Sequence, residues 1–176
     1  MFEKLFPYEY VKDVFSIDFE KLHDLGFKGI IFDIDNTLVF QDEDATKEVE
    51  DLFEKLHFAG LKTVILSNNS EERVLRFLKN IDSEYVFKAY KPFKCGYRKA
   101  LSLMKLKKEE AVFIGDQIFT DVFGANRSGV ASVLVSYIKK DGAKPQFRRK
   151  LEEAVLKEYR KRGEFQRRLG GIEKKN

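Results

Sequence analysis

The stretch IIFDIDNTLV over residues 30–39 constrains this chain more than any other part of it. Its first three residues, Ile30 to Phe32, are apolar on both faces, which is typical of a strand at the centre of a parallel sheet. Such strands present functional groups at their carboxyl ends, and Asp33 and Asp35 follow there. Neighbouring carboxylates repel each other unless a cation or a shared proton relieves them. The pair therefore indicates a functional site, although a solvated turn stays open on this motif alone.

Apolar strands alternate with amphipathic helices along most of the chain. The predicted strands are Phe27–Phe32, Lys62–Leu66, Tyr85–Lys88, Ala111–Ile114 and Ala131–Val135. The predicted helices are Ala45–Ala59, one that begins at Ser70, Tyr97–Met104, Thr120–Ser128 and Gln146–Arg162. This alternation predicts the α/β class: a doubly wound, Rossmann-like parallel sheet of five strands with helices on both faces.

The ends of the chain differ in composition from its middle. We divide the 176 residues into an aromatic N-terminal segment over 1–26, a core over 27–138 and a basic helix and tail over 139–176. The N-terminal segment is expected to pack on the core, with contact to a partner or a membrane as the alternative. The last helix is expected to pack through a stripe, and residues 163–176 to fray. The stripe consists of Phe147, Leu151, Ala154, Val155 and Tyr159.

The net charge of +4 is unevenly distributed. Residues 139–176 carry 14 Lys or Arg against 6 Asp or Glu, so the rest of the chain is acidic. An anionic partner would be sought at the basic helix, but we favour the alternative that this helix packs on the domain.

Composition also bears on location and metal chemistry. No uninterrupted apolar run approaches the ~18 residues of a membrane-spanning helix, and Met1–Tyr10 lacks the apolar core of a signal peptide. The single Cys95 cannot form an intrachain disulfide and suits a reducing compartment. His23 and His57 are isolated, so the sequence has no Cys/His cluster for zinc. We expect a cytoplasmic protein, with contact to the inner face of the membrane left open.

Four polar clusters follow strand ends, where a parallel sheet would bring them to one edge. They are Asp33-Ile34-Asp35-Asn36-Thr37, Ser67-Asn68-Asn69, Lys91-Pro92, and Gly115-Asp116-Gln117 through Thr120-Asp121. In this order they resemble the motifs of the haloacid dehalogenase-like (HAD) phosphatases, over roughly residues 26–135. Residues 33–39, the triplet Ser67-Asn68-Asn69 and residues 124–129 are most similar to subfamily IIIA, in the branch that includes phosphatidylglycerophosphate phosphatases.

The resemblance implies hydrolysis of a phosphate monoester with Mg²⁺. Asp33, Asp116 and the backbone carbonyl of Asp35 would hold the cation, which prefers oxygen ligands. Asp33 would attack phosphorus and form an aspartyl-phosphate. Asp35 would protonate the leaving group and then accept a proton from water. Dehalogenases of the family lack this second acid, so its presence favours a phosphatase.

The remaining clusters are expected to bind the phosphoryl group. Family members place such groups at the positions of Thr37, Ser67, Asn68 and Lys91, with Asp121 supporting Lys91 or the waters on the metal. Plain structural roles stay open for three of them: a helix entry for Ser67, a turn for Lys91 and a helix N-terminus for Asp121.

The spacing of the motifs leaves no room for a cap domain. Only 29 residues lie between Thr37 and Ser67, and 23 between Ser67 and Lys91. An open site suits a large substrate, and we expect a phosphorylated lipid such as phosphatidylglycerophosphate, reached through the basic tail and the aromatic N-terminus. The alternatives are a phosphatase of nucleic-acid ends or phosphoproteins, and a non-catalytic module that binds RNA or the ribosome.

Overall fold

The computed structural model describes residues 2–139 and 147–174. One sheet contains all the named strands: β1 (Glu9–Val11), β2 (Gly29–Phe32), β3 (Lys62–Leu66), β4 (Glu84–Val86), β5 (Ala111–Gly115) and β6 (Ala131–Val135). Their order is β1-β6-β5-β2-β3-β4, and each neighbouring pair is parallel. The predicted α/β class and parallel sheet are confirmed.

The sheet has six strands, so the predicted count of five is wrong. The additional strand, β1, lies in the N-terminal segment and pairs with the edge of β6, with Tyr10 opposite Leu134. A strand of three residues is too short to show the alternation by which strands are recognised in a sequence. The same segment buries Phe6 completely and Phe19 almost completely, while Phe2 stays exposed. The first residues of the chain are therefore part of the fold.

Six α-helices occur in the described residues. They are α1 (Phe19–Asp24), α2 (Lys47–Phe58), α3 (Glu71–Phe77), α4 (Lys94–Met104), α5 (Phe123–Ser128) and α6 (Phe147–Lys161). The helix predicted from Thr120 begins instead with a π-helical turn, Ile118–Val122, that continues into α5. The predicted start of the last helix, Gln146, lies outside the described residues. Within the described ranges no helix is both long and apolar enough to cross a bilayer.

The C-terminal residues are ordered by contacts with the N-terminal segment, so the expectation of fraying is wrong up to residue 174. Ile172 is fully buried, and its carbonyl oxygen accepts the N–H of Asp18 at 2.7 Å. The carboxylate of Glu9 accepts the N–H groups of Leu169 and Gly171 at 3.1 and 2.9 Å. These contacts join residues about as far apart as the chain allows, which local sequence patterns cannot reveal.

The buried face of α6 also differs from the predicted stripe. Val155 and Tyr159 are buried as expected, but Phe147, Leu151 and Ala154 are exposed. Glu152 is buried in their place, because its carboxylate accepts the N–H of Ile118 at 2.9 Å and pairs with Arg149. A charged residue with two partners has thus displaced apolar ones from the interface.

The central strand β2 sets the position of the site. Phe32, its last residue, lies between Ile65 of β3 and Ile114 of β5. The chain leaves β2 toward one edge of the sheet and reaches β5 and β6 on the other side, so β2 lies at a switch in strand order. Sites of open α/β sheets form at the carboxyl ends of strands at such a switch.

Candidate active site

Three carboxylates meet at the carboxyl edge of the sheet. Asp33 follows β2, Asp116 follows β5, and Asp121 lies in the π-helical turn after β5. Each offers one oxygen within 4.8 Å of the other two, and all three residues are buried. Asp33 and Asp116 are therefore close enough to share one cation.

Lys91 lies between two of these carboxylates. Its ammonium is 2.8 Å from Oδ1 of Asp33 and 2.8 Å from Oδ1 of Asp121. Burial alone would lower the pKa of Lys91, but the carboxylates of Asp121 and Asp33 raise it above its usual value. Lys91 is thus held as a cation inside the site, and Asp121 is one of the two groups that position it.

The electrostatics of the cluster fit a divalent metal ion. Burial, and then the neighbouring Asp121 and Asp116, raise the pKa of Asp33 to about 7 against the opposing effect of Lys91. Burial and Asp121 likewise raise the pKa of Asp116 to about 6. Among the described residues, the cations in contact with the three carboxylates are Lys91 and Arg149, and Arg149 is shared with Glu152, so negative charges outnumber positive ones. Buried oxygen ligands with excess negative charge are what a hard divalent cation requires.

The backbone is shaped to admit Asp121. The N–H of Gln117 donates to Oδ2 of Asp121 at 3.1 Å. A Cβ atom at Gly115 would lie only 2.5 Å from the same oxygen, so only glycine leaves room for it. Tyr97 of α4 holds the backbone beyond, because its hydroxyl donates to the carbonyl oxygens of Thr120 and Asp121 at 2.9 and 3.2 Å.

Asp35 lies in a different environment from Asp33. Its carboxylate accepts hydrogen bonds from Arg73 at 2.8 Å, from the side-chain amide of Asn69 at 2.5 Å and from the N–H of Asp42 at 3.0 Å. Partial burial would raise the pKa of Asp35, but these bonds, with that of Asp42 the strongest, lower it below its usual value. The side chain of Asp35 is not one of the three clustered carboxylates.

Arg73, at the start of α3, was not singled out by the sequence. It is 8% exposed and joins Asp35 to the loop of residues 38–44, where it also donates to the carbonyl oxygen of Glu43 at 2.8 Å. Its position three residues after the helix cap Ser70 carries no pattern that separates it from a solvent-facing arginine.

The residues expected to bind phosphate lie around the same edge. Ser67 is buried at the end of β3, and its hydroxyl accepts the N–H of Asn69 at 3.2 Å. The side chain of Asn68 accepts the N–H of Lys91 at 2.7 Å and donates to the carbonyl oxygen of Lys91 at 3.3 Å. Thr37 donates its hydroxyl proton to Oδ1 of Asp116 at 3.0 Å. In this structure Asn68 and Thr37 thus hold other site residues in position.

A second residue missed by the sequence, Arg149 of α6, reaches the site from the C-terminal helix. Its guanidinium contacts Oδ2 of Asp116 and donates to the carbonyl oxygen of Asp116 at 2.8 Å. Glu152 pairs with it at 2.8 Å, and the ring of Tyr137 lies 4.4 Å from it. No local pattern could have linked residues 33 positions apart in the sequence.

Comparison with known proteins agrees with this geometry. The family model for the haloacid dehalogenase-like hydrolases matches residues 39–129, about half of the chain. The chain belongs to the HAD-like hydrolase family. The probable phosphatase YqeG of Bacillus subtilis is 41% identical over 169 residues, which cover 94% of this chain and 98% of YqeG. The expectation of a HAD-like phosphatase is therefore confirmed at the level of enzyme class.

More distant matches are similar to this chain either in sequence over part of their own length or in fold alone. Phosphatidylglycerophosphate phosphatase 1 of Arabidopsis thaliana is 29% identical over 89% of this chain, which covers 49% of that protein. Among solved HAD-like structures, the cobalt-bound deoxy-D-mannose-octulosonate 8-phosphate phosphatase of Haemophilus influenzae superposes with a TM-score of 0.51 at 15% identity, over 80% of this chain and 92% of that chain. An uncharacterised protein of Listeria monocytogenes gives a TM-score of 0.53 at 22% identity, over 77% and 100%.

Proposed function

We propose that this HAD-like phosphatase is a Mg²⁺-dependent enzyme of subfamily IIIA that hydrolyses the phosphate monoester of a phosphorylated lipid such as phosphatidylglycerophosphate. The observation that best supports this reaction is one buried cluster of four side chains: Asp33, Asp116, Asp121 and Lys91. When bound, Mg²⁺ would be held by Asp33 and Asp116, together with the Asp35 backbone carbonyl, and would neutralise negative charge on the substrate.

In the first step a carboxylate oxygen of Asp33 attacks phosphorus. A bond forms from this oxygen to phosphorus while the bond from phosphorus to the ester oxygen breaks. Asp35 gives its proton to the departing alkoxide. Lys91, which contacts Asp33, balances the charge that develops on the phosphoryl oxygens, and the Ser67 hydroxyl and the Asn68 N–H donate hydrogen bonds to them.

In the second step water attacks the aspartyl-phosphate. Asp35, now a carboxylate, takes a proton from this water, and the bond from phosphorus to Asp33 breaks to release inorganic phosphate. The hydrogen bonds that lower the pKa of Asp35 keep its carboxylate ionised, which leaves it free to accept this proton. Its protonation before the first step follows from the arrival of the phosphate anion, since a nearby negative charge raises the pKa of a carboxyl group.

The openness of the site supports a large substrate. The intervals after Asp35 and after Ser67 contain only α2 with β3 and α3 with β4, and neither includes a cap. The similarity to the phosphatidylglycerophosphate phosphatase of Arabidopsis extends over most of this chain and supports a lipid phosphate within the class of large substrates.

A substrate panel tests the proposal. Purified protein would be incubated with Mg²⁺ and phosphatidylglycerophosphate in vesicles, a sugar phosphate, a 5′-phosphorylated oligonucleotide and a phosphopeptide, with Asp33→Asn as the inactive control. We expect the lipid to give the highest kcat/KM. Activity confined to the sugar phosphate would exclude the lipid, and the highest kcat/KM on the oligonucleotide or phosphopeptide would establish the alternative substrates. If Asp33→Asn hydrolysed these phosphate esters at the wild-type rate, the assignment of Asp33 to the active site would be wrong.

A further inference from the structure

Two exposed aromatic and basic patches lie beside the candidate active site. The first, the Tyr90 patch, consists of Lys88, Tyr90, Phe93 and Lys94, which precede and begin α4. The second, the Phe147 patch, consists of Phe147, Arg148, Lys150 and Leu151 in the first turns of α6. Neither patch is used by the proposed reaction.

The Tyr90 patch adjoins the phosphate-binding residues. Tyr90 is 64% exposed and Phe93 62% exposed, although they flank the buried Lys91 on either side. Both rings line one shallow depression together with Asn68, Lys88 and Lys91. A group bound at Lys91 would therefore have these two rings at its side.

The Phe147 patch lies on the Asp116 side of the site. Arg149, in the middle of this patch, contacts Asp116, so the first turns of α6 are fixed at the carboxyl edge of the sheet. Phe147 is 75% exposed and Leu151 46% exposed, one helical turn apart on the outer surface of α6. Exposed apolar side chains thus occur on two sides of the catalytic cluster.

The charge around these side chains is predominantly positive. From Val86 to Lys108 the sequence contains eight Lys or Arg and no Asp or Glu. At the opposite edge of the sheet, Phe58 is even more exposed, at 96%, but its helix places Glu54 and Lys55 beside it, of opposite charge. The two patches at the edge with the active site therefore combine exposed aromatic rings with an excess of positive charge, although Glu72 lies near Lys88 and the exposed Glu153 follows Leu151 in α6.

We propose that the Tyr90 and Phe147 patches dock the enzyme on an anionic lipid bilayer, with the catalytic cluster facing the headgroups. Aromatic rings insert at the level of the headgroups, and lysine and arginine side chains are attracted to anionic lipids. A single surface that surrounds the site would bring a headgroup phosphate to Asp33 without lifting the lipid out of the bilayer. This inference rests on the proposed lipid substrate and replaces the aromatic N-terminus as the contact, because Phe6 and Phe19 are buried.

Vesicle binding without any phosphorylated substrate tests the docking surface. Wild-type protein would be sedimented with vesicles of phosphatidylcholine alone and of phosphatidylcholine with phosphatidylglycerol, at low and high salt. We expect binding to the anionic vesicles only, weakened by salt. Tyr90→Ser/Phe93→Ser should weaken it on the order of tenfold, and Lys94→Gln about fivefold. Phe58→Ser is the matched control and should bind as the wild type does.

The single cysteine gives an independent readout. Cys95 is exposed next to Lys94, so a polarity-sensitive fluorophore attached to it should shift to the blue on anionic vesicles. The same fluorophore on the variant Cys95→Ser/Phe58→Cys should not shift. Circular dichroism of each variant verifies the fold.

Several results would overturn the inference. They are a wild-type protein that does not distinguish the two kinds of vesicle, an equal loss for Phe58→Ser, and binding of single-stranded RNA by these residues in place of vesicles. Vesicle binding through these patches without hydrolysis of any lipid phosphate would reject the proposed function but keep the docking surface.

Discussion

Asp33 and Asp35 are one residue apart, yet the structure gives them opposite electrostatic environments. Asp33 is buried with two other carboxylates, and its pKa is raised to about 7. Asp35 is half-buried among an arginine, an amide and a backbone N–H, and its pKa is lowered. In a continuing strand, residues 33 and 35 would point to the same face. The strand β2 ends at Phe32, however, and the chain turns at Ile34, whose carbonyl oxygen accepts the N–H groups of Thr37 and Leu38, so the two carboxylates reach different surroundings.

The difference supports the different roles that the proposed mechanism gives to these two like residues. A carboxylate in a buried anionic cluster depends on a cation to stay ionised, which suits a nucleophile that works only with metal bound. A carboxylate with three hydrogen-bond donors stays ionised without metal, and its proton affinity can be changed by a bound anion.

The largest expected effect is on activity, and substrates with different leaving groups should distinguish the roles of Asp33 and Asp35. Asp33→Asn should lower kcat/KM by about 10⁴-fold or more on any phosphoester, because under the proposed mechanism an amide at this position cannot form the covalent intermediate. Asp35→Asn should lower it by about 10²–10⁴-fold on an alkyl phosphate. The loss should be much smaller on p-nitrophenyl phosphate, whose leaving group departs without a proton. Asp44→Asn, an exposed acid nearby, is the control; equal losses of Asp35→Asn on both substrates would contradict its role as an acid.

Stability without metal should depend on pH through Asp33. The pKa of Asp33 and Asp116 is higher in the folded protein than in the unfolded chain, so the folded state binds more protons between about pH 4 and pH 7. The free energy of unfolding in EDTA should therefore fall on the order of a few kcal/mol as the pH rises through this range. Mg²⁺ should restore it most above pH 7. Denaturant titrations at several pH values measure the slope, and an unchanged slope in Asp33→Asn would show that the assignment is wrong.

In the surroundings of Asp35, Arg73→Ala should raise the pKa of Asp35 and destabilise the fold. The buried guanidinium donates to Asp35 and Glu43, so its loss should cost about 1–3 kcal/mol in the free energy of unfolding. Arg76 lies in the same helix but is exposed, so Arg76→Ala should lower the free energy of unfolding by under about 1 kcal/mol. The basic limb of the pH profile of kcat/KM, where Asp35 loses the proton that it gives to the leaving group, should move to higher pH in Arg73→Ala alone. Similar behaviour of both variants would mean that Arg73 does not tune Asp35.

The smallest effect concerns Thr37. Thr37→Val removes the hydroxyl that donates to Asp116 and should lower the free energy of unfolding by about 1 kcal/mol, whereas Thr37→Ser should keep most of it. A rise in KM without a loss of stability would instead indicate that Thr37 binds the phosphoryl group directly, as the resemblance implied.

The sequence was most informative where function depends on residues close together along the chain. The strand β2 and the acids after it could be predicted because a buried parallel strand and paired carboxylates are both local signals. The edge on which the polar clusters meet followed from the rule for parallel sheets, and the structure brings Asp33, Asp116 and Lys91 together there.

What could not be predicted depends on contacts between distant residues. The strand β1 exists only because β6 offers it an edge, and Arg149 reaches Asp116 only because α6 docks on the sheet. The predicted apolar face of α6 was wrong because Glu152 is buried in the interface, and a charged residue there gives no signal in the pattern of apolar residues. Each of these errors comes from tertiary structure overriding a local pattern.

The contact between the two ends of the chain bears on how the protein is made. The ribosome synthesises β1 before its partner strand β6, which begins at Ala131. Ile172, whose carbonyl oxygen accepts the N–H of Asp18, follows later still. During synthesis residues 9–18 therefore lack these native neighbours until residues 131–172 have emerged from the ribosome. Removal of the last dozen residues would leave every residue of the catalytic cluster present and yet strip the cover from the edge of the sheet.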